Sequence, residues 1–253
     1  MKQAPLALVT GGSKRIGRAM AEDLAENGFA VAIHCNGSTS EAEELADTIR
    51  KAGGRSCVIA ADLTVMAQVR QVIPQVNAAL GAISVLVNNA SIFEDDSADA
   101  LDEEIFDRHH ALHVKAPSFL AQDFAAQLPA AAEGLIVNII DERVWKLTPR
   151  FYSYTLSKAA LWAATRTMAQ TFAPLIRVNA IGPGPTLPNF RQTDVDFARQ
   201  ASGLPLGRGP ELAEFGATIR YLWNAKSVTG QMIALDGGQH LAWETTDLAG
   251  IAE

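Results

Sequence analysis

Short apolar runs alternate along the chain with longer stretches whose apolar residues recur at helical spacing. The runs are typical of strands buried on both faces, and they predict seven strands, at 6–10, 31–35, 56–61, 83–88, 135–140, 176–181 and 232–235. The longer stretches predict helices at 15–27, 41–52, about 65–79 and 152–172. This alternation indicates an α/β fold, a doubly wound parallel sheet with right-handed crossovers and helices on both faces.

Residues 182–209 interrupt the alternation, because they are rich in glycine and proline and show little periodicity. Long irregular segments of compact domains are often binding loops, so we expect either a substrate loop or a mobile surface loop. The rest of the chain shows no linker, internal repeat or low-complexity tract. Residues 1–253 are therefore predicted to form a single domain.

Composition narrows the classes of function. The net charge of −7 over 253 residues argues against a polycation that grips nucleic acid. No apolar run approaches the roughly 20 residues of a membrane helix, residues 1–5 have no signal-peptide pattern, and two cysteines make no disulfide framework. We expect a cytoplasmic protein that binds a small molecule and no metal. The first 21 residues differ from the rest, since they carry four cations and no acid.

A glycine-rich turn, 10–17, lies between the first predicted strand and helix. Glycine permits close backbone approach to a pyrophosphate, and the helix N-terminus supplies free N–H groups. The second strand ends in Asn36-Gly37-Ser38 and lacks the acid that binds the ribose of NAD, whereas Lys14 and Arg15 carry the charge that a 2′-phosphate requires. The pattern favours NADP(H), unless both cations are merely solvated.

Tyr154 and Lys158 lie four residues apart in a predicted helix, which places them on one face. A lysine beside a phenol lowers the phenol pKa, so that the tyrosine can transfer a proton near neutral pH. The same spacing also occurs by chance in surface pairs of amphipathic helices. The spacing alone therefore leaves a catalytic pair and a surface pair open.

Four motifs in order remove most of this ambiguity: 10–17, Asn88-Asn89-Ala90, Tyr154-x-x-x-Lys158 and Gly182-Pro183-Gly184. With these motifs the chain resembles the short-chain dehydrogenase/reductase family from residue 5 to about 240. The resemblance implies a single-domain Rossmann-type fold, usually a homotetramer, that moves a hydride between a nicotinamide and a carbonyl or imine. It also implies that Tyr154 donates the proton and that Lys158 binds the nicotinamide ribose and tunes Tyr154.

The turn, the second strand end and the resemblance together define the expected cofactor contacts. These are Gly11, Ser13, Lys14, Arg15, Ile16, Gly17, Asn36, Ser38, Asp62, Leu63, Asn89, Ala90, Lys158, Pro183, Gly184 and Thr186. Two positions depart from the family pattern. Asp141 stands thirteen residues before the tyrosine, where the family has a serine, and Arg15 replaces the usual second glycine of the turn. A carboxylate is a poor partner for a developing oxyanion but a good acceptor of N–H bonds.

These departures resemble the pteridine reductase branch, as do Asn89-Ala90-Ser91-x-Phe93 and Lys14-Arg15. The resemblance implies that Phe93 stacks on a pterin ring and that the substrate meets Arg15, Ser91, Phe93, Asp141 and Tyr154. Otherwise Phe93 is an apolar loop anchor and Asp141 an ordinary acid at a strand end.

Two further positions differ from what the resemblance predicts. His113 replaces a family asparagine that organises a proton-relay water, so it is expected either to act in an altered relay or to mark reduced activity. Gly37 stands where the branch often has a basic residue for the 2′-phosphate. Residues 94–107 also carry eight acids and no lysine or arginine, either as a solvated loop and helix start or as a barrier to acidic partners.

The sequence therefore predicts an NADPH-dependent reductase of a dihydropterin, such as dihydrobiopterin or dihydromonapterin, or of dihydrofolate. Hydride would attack the C=N carbon, with the proton supplied by Tyr154 or through Asp141. Two alternatives stay open at this point. One is a generic carbonyl or 3-oxoacyl reductase, and the other is a non-catalytic dinucleotide-binding regulator.

Overall fold

Seven parallel strands form one sheet at the centre of the molecule, in the order β3-β2-β1-β4-β5-β6-β7. The computed structural model describes residues 4–188 and 191–243. The strands are β1 Leu6–Val9, β2 Ala30–Cys35, β3 Ser56–Ala60, β4 Val85–Asn88, β5 Gly134–Ile139, β6 Ile176–Pro183 and β7 Met232–Leu235. The predicted Rossmann-type, doubly wound α/β fold is confirmed. The strand order reverses direction between β1 and β4, where such sheets bind ligands.

Helices cover both faces of the sheet. They are α1 Arg15–Glu26, α2 Thr39–Lys51, α3 Met66–Leu80, α4 Glu103–His110, α5 Ala116–Gln127, α6 Tyr152–Phe172, α7 Asp194–Ser202 and α8 Leu212–Asn224. The α1, α2 and α8 helices bury their apolar side chains in the core of one face, and α3, α5 and α6 contribute to the core of the other. Short 3₁₀ turns follow β5 and β7, at Glu142–Val144 and Gln239–Leu241.

The strands read as continuous apolar runs because both of their faces are buried. In β1, Leu6 and Leu8 enter one core while Ala7 and Val9 enter the other, as the two-residue period of a strand requires. All predicted strand and helix boundaries lie within two residues of the observed ones.

The prediction of an irregular segment at 182–209 was wrong in part, because it contains α7 and the end of β6. Thr193 accepts a hydrogen bond from the Asp196 N–H, and the Asp196 side chain accepts one from the Thr193 N–H. This capping box was the local signal for a helix start. The sequence analysis also missed α4, α5 and α8. Within the described ranges no helix is long and apolar enough to span a membrane; the homotetramer and the cytoplasmic location stay predictions.

The loops that follow β1 and β4 are joined by a dense set of hydrogen bonds. The Thr10 hydroxyl accepts the N–H groups of Asn89 (2.8 Å) and Ala90 (3.0 Å), and the Asn89 amide donates to the carbonyls of Thr10 (2.8 Å) and Gly11 (3.1 Å). His34, near the end of β2, connects a third strand to this network, because its Nδ1 accepts the Gly11 N–H at 3.1 Å. The glycine turn is therefore braced from both sides.

His34 makes this brace sensitive to pH. Its Nδ1 is an acceptor, its Nε2 lies 2.9 Å from the Ala61 carbonyl, and burial lowers its pKa to about 4. In the unfolded chain the imidazole of His34 binds a proton near pH 6.5, whereas in the folded protein it stays neutral down to about pH 4. The neutral form of His34 therefore contributes its full stabilisation of the fold above pH 6.5. This stabilisation, roughly 3 kcal/mol, is lost as the pH falls through 6.5 towards 4.

We predict that His34→Asn, which keeps an acceptor near the Nδ1 position but has no imidazole to protonate, flattens the dependence of unfolding free energy on pH between 6.5 and 4. Urea unfolding at a series of pH values measures it. His109 and His113 are present in both proteins, so their titrations cancel in the comparison. Parallel curves for the two proteins would show that His34 does not titrate on unfolding.

Candidate active site

A cavity of about 610 Å³ opens at the carboxyl ends of the strands. Its walls come from the loops after β1, β4, β5 and β6, from the start of α6 and from α7. Of the predicted site residues, it is lined by Arg15, Ile16, Asn89, Ser91, Phe93, Asp141, Tyr154, Lys158, Pro183, Gly184 and Thr186. The structure thus brings most of the predicted catalytic, substrate and nicotinamide-end residues together.

The glycine turn is shaped by close backbone packing. Gly11 has a positive φ of 61°, and a Cβ on Gly17 would lie 2.0 Å from the Gly11 carbonyl oxygen. The α1 helix that follows has no side-chain cap and no acid in its first turn. Its free N–H groups, together with the cations beside them, fit the pyrophosphate of a dinucleotide.

Lys14 and Arg15 diverge, contrary to the expectation that both reach a 2′-phosphate. Lys14 forms an ion pair with Glu41 in α2 at 2.6 Å. Arg15 instead donates to the carbonyls of Pro188 (3.0 Å) and Leu187 (3.3 Å) and lines the cavity. Its φ is 53°, the left-handed conformation that the family glycine would adopt without strain. Arg15 therefore lines the cavity, whereas Lys14 faces the first turn of α2.

The remaining predicted adenine-side residues lie next to one another at the ends of β2 and β3. Ser38 is within 2.7 Å of Ser13, hydroxyl to hydroxyl, and Asn36 is exposed beside it. Asp62 accepts the N–H and the hydroxyl of Thr64, and Leu63 is buried in the core. None of these four lines the cavity, as expected for residues at the far end of an extended cofactor.

The centre of the cavity holds a carboxylate–phenol pair. The Tyr154 hydroxyl donates to Asp141 Oδ2 at 2.9 Å. Asp141 is itself fixed, because its Oδ1 accepts the Arg143 N–H at 2.9 Å and its Oδ2 lies 3.3 Å from the Arg143 guanidinium. Lys158 is buried and donates to the Ile139 carbonyl at 2.9 Å, with its Nζ 5.6 Å from the centre of the Tyr154 ring.

The prediction that Lys158 lowers the pKa of Tyr154 is not what this geometry gives. Burial, followed by the charge and hydrogen bond of Asp141, raises the pKa of Tyr154 well above its usual value. Burial also lowers the pKa of Lys158, to about 8. The neighbouring Glu142 carboxyl is buried beside Asp141, and its pKa is raised to about 7. The phenol therefore holds its proton throughout the neutral range.

His113 is a neutral structural link between the loop after β4 and helix α6. Its Nε2 accepts the Ile92 N–H at 3.3 Å and lies 3.0 Å from the Ser91 hydroxyl, while its Nδ1 lies 2.8 Å from the Ser157 hydroxyl. Burial lowers its pKa well below the usual value, and the Lys158 charge adds to this effect. These contacts hold the Ser91 loop against α6, and they give no direct bond to Tyr154 or Lys158.

His109 repeats this arrangement one turn earlier in α4, and sequence reasoning missed it. Its Nδ1 lies 2.7 Å from the Ser153 hydroxyl and its Nε2 accepts the Glu94 N–H at 3.4 Å. The His109 and His113 rings stack with centres 5.5 Å apart. A π-helical turn at Ala111–Lys115 separates α4 from α5. The repeated spacing of two histidines four residues apart was the available signal.

Phe151, whose ring stacks on Phe93, is a second residue that sequence reasoning missed. Phe93 stacks on Phe151, with ring centres 4.1 Å apart, and meets the edge of Tyr154 at 4.8 Å. Phe151 precedes α6 and has a φ of 57°. Such a conformation is strained for a bulky residue, and strain of this kind clusters at functional sites. Phe93 therefore lines the cavity with Phe151 against one face, and its stacking on a substrate ring stays a prediction.

The acidic segment 94–107 does not border the cavity, which favours a solvated loop and helix start over a barrier to acidic partners. None of its eight acids is among the lining residues of the described chain. Glu94 pairs with Arg108 at 2.6 Å, Asp95 with Arg150 at 2.9 Å, and Asp96 is buried and accepts the Ser153 N–H. The lining is instead rich in arginine.

At the far wall, Gly184 permits close packing. A Cβ there would lie 2.6 Å from the Asp236 Cα, so the loop after β6 passes directly over the end of β7. The Thr186 hydroxyl donates back to the Gly184 carbonyl at 3.0 Å. Pro183, Gly184 and Thr186 thus form a compact part of the cavity wall.

A parallel sheet with a glycine turn at its switch point, and a tyrosine and lysine on one helix facing the same cavity, defines a dinucleotide-dependent oxidoreductase site. The sequence matches the short chain dehydrogenase family over residues 5–198. The chain belongs to this family, as predicted.

Several relatives of solved structure or curated sequence are close over nearly the full length. FolM Alternative dihydrofolate reductase 1 from Brucella canis, solved with NADP, is 59% identical with a TM-score of 0.96, over 98% of this chain and 99% of that one. The same protein from Brucella suis, also with NADP, gives the same identity and TM-score over 98% and 100%. The 3-oxoacyl-[acyl-carrier-protein] reductase FabG of Staphylococcus epidermidis is 31% identical, over 93% of this chain and 98% of its own.

The backbone at Arg15 generates a stability prediction. Arg15→Gly and Arg15→Ala both remove the guanidinium, but only glycine relieves the left-handed conformation. We expect the glycine variant to have a free energy of unfolding about 1 kcal/mol higher than that of the alanine variant, measured by urea unfolding. Equal stabilities, or a more stable alanine variant, would contradict the assignment of strain to this position.

The carboxylate–phenol pair generates a second prediction. In Asp141→Asn, loss of the carboxylate charge removes one of the causes that raise the pKa of Tyr154, so this pKa should fall. Ultraviolet difference titration of the phenolate measures it, with Tyr154→Phe identifying the Tyr154 signal. An unchanged tyrosine titration would mean that Asp141 does not hold the phenol proton.

Proposed function

We propose that this enzyme reduces the C=N bond of a dihydropterin ring with NADPH. The observation that carries the proposal is the hydrogen bond from Tyr154 to Asp141 in the centre of the cavity, at the position where a serine is usual. The 59% identity to FolM Alternative dihydrofolate reductase 1 supports the same substrate class.

The cofactor is NADP(H), the dinucleotide present in the structures of the 59% identical relatives. The free N–H groups of α1 hold its pyrophosphate beside Gly11 and Gly17. Lys14, Asn36 and Ser38 lie near the adenine ribose, and Lys158, Pro183, Gly184 and Thr186 surround the nicotinamide end. When bound, the cofactor supplies the hydride.

Asp141 selects for a ring that carries N–H groups. A carboxylate accepts charge-assisted hydrogen bonds from such groups, whereas it repels the oxyanion that develops when a carbonyl is reduced. Arg143 fixes the Asp141 carboxylate through two contacts, which pre-organises the acceptor. Arg15, Ser91 and Phe93 position the rest of the ring, and positioning of this kind supplies several kcal/mol of the barrier.

Tyr154 provides the proton. Its raised pKa keeps the phenol protonated, so the O–H is available to the ring nitrogen as the hydride reaches the adjacent carbon. The transfer runs directly from Tyr154 or through Asp141. It leaves a phenolate, to which the Arg143 guanidinium beside Asp141 is the favourable charge, and water then restores the proton. The Ser91 loop, which His113 holds in place, keeps the substrate ring aligned with Tyr154 and Asp141.

A second candidate is reduction of a 3-oxoacyl thioester, which is favoured by the 31% identical FabG relative. Asp141 opposes it, because the serine that would donate to the carbonyl oxygen is absent. A regulator that binds the dinucleotide without turnover is the third possibility, and the buried, correctly spaced Tyr154–Lys158 pair opposes that.

NADPH oxidation followed by absorbance, with 6-methyl-7,8-dihydropterin, dihydrofolate and acetoacetyl thioester as substrates, distinguishes the three functions. We expect turnover of at least one pterin substrate and none of the thioester. In Asp141→Asn we expect kcat for that substrate to fall at least ~100-fold, with the Kd for NADPH within threefold of its original value. Turnover of the thioester alone, or binding without turnover, would refute the proposal.

A further inference from the structure

Glu142 is a buried acid in the cavity wall that the proposed chemistry does not use. It follows Asp141 directly, in the 3₁₀ turn after β5, and it is 3% exposed. Several buried side-chain atoms of the described residues have no hydrogen-bond partner, and among them Glu142 Oε2 is the one whose residue lines the cavity. A buried carboxyl oxygen without a partner, beside the reacting groups, points to a role in the reaction.

The two cations nearest to Glu142 in the sequence are engaged elsewhere. The Arg143 guanidinium lies 3.3 Å from Asp141 Oδ2, and the Lys146 ammonium donates to the Ala242 carbonyl at 3.1 Å. In the part of the chain that the structure describes, neither of them forms an ion pair with Glu142. A buried carboxylate without a paired cation is costly, so this arrangement favours the protonated, neutral form of Glu142.

The pKa of Glu142 agrees with this arrangement. Burial, followed by the charge of Asp141, raises the pKa of Glu142 to about 7, although Arg143 lowers it. Asp236, after β7, adds to the increase, and Lys146 opposes it. At neutral pH the cavity wall therefore contains a carboxyl group that carries a proton and can release it.

Tyr154 is coupled to this acid through Asp141. The Tyr154 hydroxyl donates to Asp141 at 2.9 Å, and the charge of Glu142 is among the causes that raise the Tyr154 pKa. Lys158 donates to a backbone carbonyl of β5 at 2.9 Å instead of bonding to the phenol. Arg143, the other partner of Asp141, does not release a proton. Among the lining residues of the described chain, Glu142 is the one carboxyl besides Asp141.

We propose that Glu142 is the proton store of this active site, and that its carboxyl returns to Tyr154 the proton that each turnover consumes. Asp141 lies next to Glu142 in the chain and is already bonded to the phenol, so it passes the proton on. This inference rests on the proposed function, because it assigns the proton source of the same reaction.

The protons of one turnover balance. The C=N carbon receives the hydride, and the Tyr154 O–H bond breaks as the ring N–H bond forms, which leaves a phenolate. The Glu142 O–H bond then breaks and the Tyr154 O–H bond forms again. The Glu142 carboxylate finally takes a proton from the solvent. The net reaction consumes one NADPH and one proton for each C=N bond that is reduced.

Transient kinetics of Glu142→Gln tests the proton store. The amide keeps the shape of the side chain but has no acidic proton to release. Because Tyr154 carries its own proton at the start, we expect the first turnover of the NADPH-loaded enzyme to be unchanged. Later turnovers should slow about 100-fold, the effect of losing a positioned proton donor. Stopped-flow absorbance should therefore show a burst of one NADPH oxidised per site. Equal slowing of the first and later turnovers, or no slowing, would overturn the proposal.

The pH profile gives a readout that a merely structural role would not move. The original enzyme needs the protonated form of Glu142, so kcat should fall as the pH rises above about 7. In Glu142→Gln this fall should disappear, and kcat should increase with imidazole concentration at fixed pH, because the buffer cation then supplies the proton. Glu142→Asp keeps a carboxyl group and should recover part of kcat. A fall near pH 7 that persists in Glu142→Gln would contradict the proposal.

Glu26→Gln is the matched control, because it makes the same change at an exposed acid at the end of α1. It should leave the first turnover, kcat and the pH profile unchanged. If Glu26→Gln produced the same burst as Glu142→Gln, the burst would not report on Glu142, and the assignment would be wrong.

Infrared difference spectroscopy of the NADP-loaded enzyme separates the proton store from the reaction, because it needs no turnover. We expect the carbonyl band of a protonated carboxyl group at neutral pH, lost at higher pH and missing in Glu142→Gln. If this band is found but no pterin is reduced, the proposed function fails and the stored proton stands. If Glu142→Gln leaves the band unchanged, Glu142 does not hold the proton and the proposal is wrong, whichever substrate is reduced.

Discussion

The joint between the loops after β1 and β4 is the constraint on which the site depends. Thr10 and Asn89 exchange side-chain and backbone hydrogen bonds across it, and Gly11 and Gly17 touch so closely that no side chain fits between them. The joint fixes the start of α1, where we propose that the dinucleotide phosphates bind, relative to the Ser91 loop, where we propose that the substrate ring lies. One local network at the switch point of the sheet thus holds both parts of the proposed site.

The cavity lining is rich in positively charged side chains, whereas the surface segment 94–107 is rich in negatively charged ones. The surface acids of 94–107 are paired or turned away, whereas the lining concentrates guanidiniums around aromatic rings. Within this cationic wall, Asp141 is the one described carboxylate bonded to the proton-bearing Tyr154. A lining built in this way combines several guanidiniums with one fixed carboxylate that can accept N–H groups.

Much of the architecture was predictable, because parallel strands and amphipathic helices each leave a period in the sequence. The motifs around Gly11, Asn89, Tyr154 and Lys158 also converge as expected. Local sequence patterns did not predict the direction of the Arg15 side chain, which extends from a left-handed backbone towards Leu187. They also did not predict that burial and the neighbouring Asp141 raise the pKa of Tyr154. These outcomes depend on contacts between residues far apart in the chain.

The same limit explains why Phe151 was missed, since nothing in the neighbouring sequence signals that its ring stacks on Phe93. Phe151 has a further consequence for how this protein can evolve. Glycine or asparagine at this position would relax the backbone, and selection for stability alone would favour them. Either replacement would remove the ring that Phe93 stacks on. Backbone stability and ring stacking therefore favour different residues at this position, and a lineage that keeps an aromatic residue here records selection for the stack.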